Sequence, residues 1–149
     1  MARRDVKKSI GLWLPVLVWM GVIFWGSSIG SVPKAGGVAL DAIVHRTAHV
    51  LEFAVLGWLL LRAVANGRAL TRREVVITLI VVTLYGISDE LHQRFTPGRS
   101  SELSAVLFDV AGGLIGVWAY RAWRWKNASA RKRLSSKVSR HVSESAGGE

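Results

Sequence analysis

The chain has 149 residues, is half apolar, contains no cysteine, and carries 20 Lys and Arg against 10 Asp and Glu, a net charge of +10. That length has room for one domain, and the lack of cysteine excludes disulfides, a thiolate nucleophile and zinc-thiolate sites. A pI near 11.1 invites a nucleic-acid reading, but the cations flank apolar runs instead of alternating with aromatics on one surface, so no nucleic-acid partner is expected.

Four apolar runs follow in order. Residues 10–26 (IGLWLPVLVWMGVIFWG) carry no charge and approach the roughly 20 residues that cross about 30 Å of hydrocarbon. Basic residues precede this run, as in a signal peptide, but it is long for a signal core and no Ala-x-Ala site follows, so an uncleaved span is expected. Residues 27–40 (SSIGSVPKAGGVAL) are rich in Gly, Ser and Pro and read as an outer loop. The second run, 47–61, has His49 and Glu52 near its start. The third, 75–87, is uncharged but short, so a spanning helix must continue through Ser88, Asp89, Glu90, Leu91, His92 and Gln93. The fourth, 103–120, contains the single charge Asp109, with Gly112 and Gly116 as a small-xxx-small pair for close helix packing. Beyond Lys126 few large apolar residues remain, and a disordered tail attracted to anionic lipid is expected. The expectation is an all-α membrane bundle of four transmembrane helices with short loops. Residues 1–9 form a basic N-terminus, 10–123 the transmembrane domain and 124–149 a disordered basic tail.

Charge sets the expected orientation. Residues 1–9 have net charge +3, 62–74 have +3 and 121–149 have +6, while 27–52 sum to zero and 88–109 to −2. The excess of Lys and Arg places both termini and the middle loop in the cytoplasm. Trp13, Trp25, Tyr120, Trp123 and Trp125 fall near span ends, where amphipathic rings favour the headgroup zone.

Ionisable groups inside a span are costly unless they face one another or a wet cavity, which makes the polar residues at the outer ends candidates for function. His45, His49 and Glu52 share one stripe of the second helix, spaced i, i+4 and i+7. Such a His-x-x-Glu pair can hold a metal, or the carboxylate can orient the imidazole for proton transfer; in soluble helices it is more often a local hydrogen bond. Asp89 lies one turn from His92 and Gln93, and Pro97-Gly98 turns the chain back. Arg99 then reaches inward as a bidentate donor for carboxylate or phosphate, or simply neutralises Asp89 or Glu90. Asp109 needs a partner, and His49 or the Asp89–Gln93 turn stands at similar depth.

At these residues the chain resembles the VanZ-like family of small bacterial membrane proteins, over roughly residues 10–120. The family shows a stretch resembling Arg-Lys-x-x-His-x-x-Glu-Tyr-x-x-Leu-Gly, and residues 45–57 follow it closely. A second block, resembling Ser-Asp-Glu-x-His-Gln-x-Phe-x-Pro-Gly-Arg, is met from Ser88 to Arg99. A third, resembling Asp-x-x-x-Asp-x-x-Gly, is half met: Asp109 and Gly112 fit, but Ala105 replaces the first Asp. Phe53 likewise stands where the family has Tyr, so a mechanism needing that hydroxyl or a second Asp is not expected here. The resemblance implies a bacterial plasma-membrane location and a link to the cell envelope and to the glycopeptide teicoplanin.

Two functional readings follow. In one, the outer polar site binds a lipid-linked or cell-wall precursor headgroup through Gln93, Arg99 and Asp109, and influences glycopeptide susceptibility. In the other, a hydrolase or transferase uses His49 or His92 as base, with Glu52 or Asp89 orienting it and Glu90 beside them. No cofactor is implied outright; a divalent metal on His49, Glu52, Asp89 and Asp109 is a variant. A third reading is structural, with charges pairing across helices. Membrane lipids are the other expected partners, and the sequence does not set the oligomeric state.

Overall fold

The computed structural model describes residues 2–29, 38–97 and 104–146, with side chains over 6–29, 43–97 and 104–136. Four helices make up this part of the chain: α1 (Ala2–Ser28), α2 (Val38–Ala65), α3 (Arg72–Gln93) and α4 (Ala105–Ala146). All four contain a segment long and apolar enough to cross a membrane: Val6–Ser28, Ile43–Ala65, Arg72–Gln93 and Ala105–Ser136. Large apolar side chains stand exposed on every span, among them Leu17, Val44, Leu84 and Leu107, as expected for surfaces that face acyl chains rather than water. The protein is an all-α, multi-pass membrane protein.

The helices alternate in direction, so α1 runs parallel to α3 and α2 parallel to α4. The most extensive packing joins α2 to α4; α3 touches all the others, and among the described residues α1 meets only α2 and α3. Small residues cause the α2–α4 closeness. A Cβ at Gly112 would collide with the Val50 carbonyl oxygen, and one at Gly116 with that of Ala54. A Cβ at Gly57 would lie 2.6 Å from the Gly113 oxygen. Lipid tails provide no hydrophobic drive for helix association, so close backbone approach of this kind is how membrane helices gain contact. A core of Val16, Ile23, Phe53, Leu56, Leu60 and Val82 lies between α1, α2 and α3.

Helix ends follow local chemistry. Asn66 and Gly67 take positive φ values of 45° and 78°, the left-handed turn that closes a helix, and the Asn66 N–H donates to the Arg62 carbonyl at 3.2 Å. The hydroxyl of Thr71 caps α3 by accepting from the Arg73 N–H at 3.2 Å, while Glu74 accepts from the Thr71 N–H at 2.9 Å. Inside α1, Pro15 has no N–H, which deprives the Gly11 carbonyl of its helical donor. Arg62 of α2 supplies one instead, with Nη2 3.2 Å from that oxygen.

Several placements can be set beside the sequence expectation, including α2 starting at Val38 inside the stretch read as loop. Ser27 and Ser28 belong to α1, not to a loop, because no glycine or proline interrupts the helix between Gly26 and them. Residues after Lys126, expected to be disordered from their polarity, continue α4 to Ala146; Ala, Arg, Lys and Leu favour a helix and no Gly or Pro stops it. At 42 residues α4 is about 60 Å long, twice a hydrocarbon core. Tyr120, expected among interfacial rings, is buried and packs edge-on against Trp58, their centroids 5.3 Å apart; Trp25, Trp123 and Trp125 are exposed.

Candidate functional site

The alternation of the helices brings the end of α1, the start of α2, the end of α3 and the start of α4 to one end of the bundle. Ser27, His49, Asp89, Glu90, Gln93, Thr96 and Asp109 are all buried there. Arg99 lies outside the described residues, so its expected contacts with this cluster do too.

His49 and Asp109 join α2 to α4, with Nδ1 2.8 Å from Oδ1. An ionised carboxylate only accepts, so Nδ1 is the donor and the Nε2 lone pair is left for other use. The ring of His45 lies edge-on to that of His49 at 4.5 Å, and Phe53 stacks at 6.3 Å on the far side. Asp109 fits because position 86 has no side chain: a Cβ on Gly86 would lie 2.8 Å from Asp109 Oδ2. Deleting His49 would strand the buried Asp109 carboxylate, which typically costs about 3–5 kcal/mol.

A second network joins α3 to α1. Asp89 Oδ2 accepts from Ser27 Oγ at 2.8 Å and from Gln93 Nε2 at 2.7 Å. Gln93 is thereby oriented, since the opposite amide orientation would set oxygen against oxygen. Thr96 Oγ1 donates to the Ser27 carbonyl at 3.4 Å. Beside it, His92 Nε2 lies 2.9 Å from Ser28 Oγ, and its ring packs against Phe24 at 4.3 Å. Asp89 and Glu52 are near enough to His49 to contribute to its electrostatic environment, and Asp89 to that of Asp109, so the networks act as one charged cluster.

Among the described residues three buried oxygens have no hydrogen-bond donor: Asp89 Oδ1, Gln93 Oε1 and Asp109 Oδ2. Most buried polar groups in proteins are paired, so three unpaired acceptors in one region mark a place that calls for donors.

The sequence-nominated residues therefore separate. His49, Asp89, Gln93 and Asp109 make the contacts above. His92 turns toward α1 and Ser28, not toward Asp89 one turn away. Glu90 is buried, and Glu52 is half-buried with its backbone carbonyl accepting from Trp19 Nε1 at 2.8 Å. The carboxylate that meets His49 is Asp109, one of the two pairings offered for Asp109 from the sequence, while Glu52 or Asp89 was expected to orient the imidazole. Among the described residues no group of three or more His, Asp or Glu side chains is placed to hold a metal ion. Ser27, Ser28 and Gly86 went unnominated. The serines read as loop, and the only cue to Gly86 is a glycine within a turn of Asp89.

Comparison with curated proteins and with solved structures found no match. A family model, VanZ/LLP1, matches residues 12–124, a stretch that takes in the second and third spans, most of the first and fourth, and every residue of the two networks. The chain belongs to the VanZ/LLP1 family.

Proposed function

We propose that this protein resides in the bacterial plasma membrane with both termini in the cytoplasm, binds the headgroup of a lipid-linked cell-wall precursor at the polar end of its bundle, and thereby influences susceptibility to glycopeptides. The observation that carries this reading is the set of unpaired acceptors on Asp89, Gln93 and Asp109, at the end of the bundle opposite the basic residues. By the charge rule that end faces outward, where precursor headgroups meet glycopeptides. Sugar hydroxyls and amide N–H groups are the donors such oxygens accept from, and Arg99, by its place in the sequence, is available for the phosphate.

The direct test is retention of a radiolabelled lipid-linked precursor by the purified chain. Asp89→Asn and Gln93→Leu should each weaken it about tenfold, the scale of one hydrogen bond to a charged group; undiminished retention in both overturns the reading. Growth inhibition by teicoplanin, in cells with the gene, without it and with Glu90→Gln, tests the envelope role. Equal inhibition in all three sinks it.

A second reading has its own observation in the His49–Asp109 pair. An imidazole held at Nδ1 by a buried carboxylate leaves Nε2 as a general base, the arrangement a hydrolase or transferase uses to activate a nucleophile. Turnover of the precursor that is lost in His49→Gln while retention persists would favour this reading over binding alone.

A further inference from the structure

At the opposite end of the bundle, cations from three parts of the chain meet on one turn. Lys8 of α1 places Nζ 3.5 Å from the Asn66 carbonyl oxygen, and a Cβ on Gly67 would lie 3.9 Å from the same nitrogen. Arg124 of α4 places Nη1 2.6 Å from the Arg68 carbonyl oxygen. Arg68 folds back onto the end of α2, with Nε 3.4 Å from the Ala65 oxygen and Nη2 3.2 Å from that of Val64. Lys8 and Arg124 thus meet the turn at Asn66 and Arg68, and the Arg68 head lies beside them on the last turn of α2.

Backbone carbonyls hold these heads but do not neutralise them. Among the described residues none of the three has a carboxylate within ion-pair distance. The nearby Glu74 accepts from the Thr71 N–H and acts on Arg68 only from beyond ion-pair distance. Lysine has three donors and arginine five, so each head retains N–H groups after its carbonyl contacts. Lys8 and Arg68 are exposed and Arg124 is partly so. Trp123 and Trp125 flank Arg124 and are exposed, which places the cluster at the level where aromatic rings meet lipid headgroups.

We propose that Lys8, Arg68 and Arg124 bind the phosphate headgroup of an anionic phospholipid at the basic end of the bundle. Guanidinium groups take phosphate oxygens in pairs and the lysine adds a point charge. The apolar faces of the adjoining spans then carry the acyl chains, which a soluble phosphate lacks. The site is remote from the polar end and independent of the function proposed there.

Native mass spectrometry of the detergent-purified full chain tests this, with dioleoyl phosphatidylglycerol, cardiolipin, phosphatidylcholine and inorganic pyrophosphate as probes. The two anionic lipids should be retained at least roughly tenfold better than phosphatidylcholine, given the contribution of each basic residue near an anionic surface. Combined Lys8→Gln, Arg68→Gln and Arg124→Gln should abolish that preference. Removing equal charge further along α4, by Arg131→Gln, Lys132→Gln and Arg133→Gln together, should leave the preference intact. Equal retention of all lipids, equal loss in both triple variants, or retention of pyrophosphate without lipid each overturns the proposal.

Discussion

His49 and Asp109, sixty positions apart in sequence, lie 2.8 Å from each other in the interior of the bundle and tie its second helix to its fourth. Asp109→Ala should lower stability by about 1–3 kcal/mol, because it leaves a buried imidazole N–H without its acceptor. Unfolding in mixed micelles, measured for each single variant and for His49→Ala with Asp109→Ala, should give a coupling of roughly 1–3 kcal/mol. Additive losses would show that the pair contributes nothing as a pair.

Gly86 should behave as part of that pair although it is uncharged. Gly86→Ala puts a methyl against the Asp109 carboxylate and is expected to destabilise by about 1–3 kcal/mol, the usual effect of overpacking. Adding Asp109→Ala removes the obstructing oxygens, so the double variant should be more stable than the two losses summed. The same unfolding assay checks it.

Glycines in the spans should divide by what faces them. Gly116→Ala meets the backbone of α2 and should lower the unfolding midpoint sharply, by about 2 kcal/mol or more if the helices must separate. Gly21→Ala meets nothing within 4 Å and should be neutral, or stabilise by up to about 1 kcal/mol through helix propensity.

Arg62 and Pro15 should show a compensation of an uncommon kind. Arg62→Ala removes the donor to the Gly11 carbonyl and should cost about 1–3 kcal/mol. Adding Pro15→Ala restores a helical N–H to that oxygen, so part of the loss should be recovered. No recovery in the double variant would mean that Arg62 acts elsewhere.

Orientation can be read directly because the chain has no native cysteine. Ser136→Cys and Gly67→Cys should react with an impermeant maleimide in inverted vesicles, and not in intact cells. Labelling from outside would reverse the assignment of the polar end to the outer leaflet.

The spans are legible in the sequence because their signal is local: an uncharged run of sufficient length is visible without knowing its neighbours. The same holds for the stripe from His45 to Glu52 and for the Asp89–Gln93 turn, which one helix is enough to define. Partners across helices are less legible. One sequence indicates that Asp109 needs a partner, but the choice between His49 and the third span depends on helix rotation, which the glycines of α4 set through contacts with α2. Gly86 acquires its meaning only from a side chain on another helix. The tail after Lys126 is read from its polarity alone, and a helix that leaves the membrane can be polar all round and still keep its backbone bonds.

Because α1 rests on α2 and α3 and, among the described residues, never reaches α4, it forms an outer wall of the bundle. Swinging that wall aside would break the Ser27 and Ser28 contacts and uncover Asp89 and Gln93, while the imidazole and carboxylate shared by the second and fourth helices stayed clasped. The contacts that cover Asp89 from α1 are thus distinct from the clasp that joins α2 to α4.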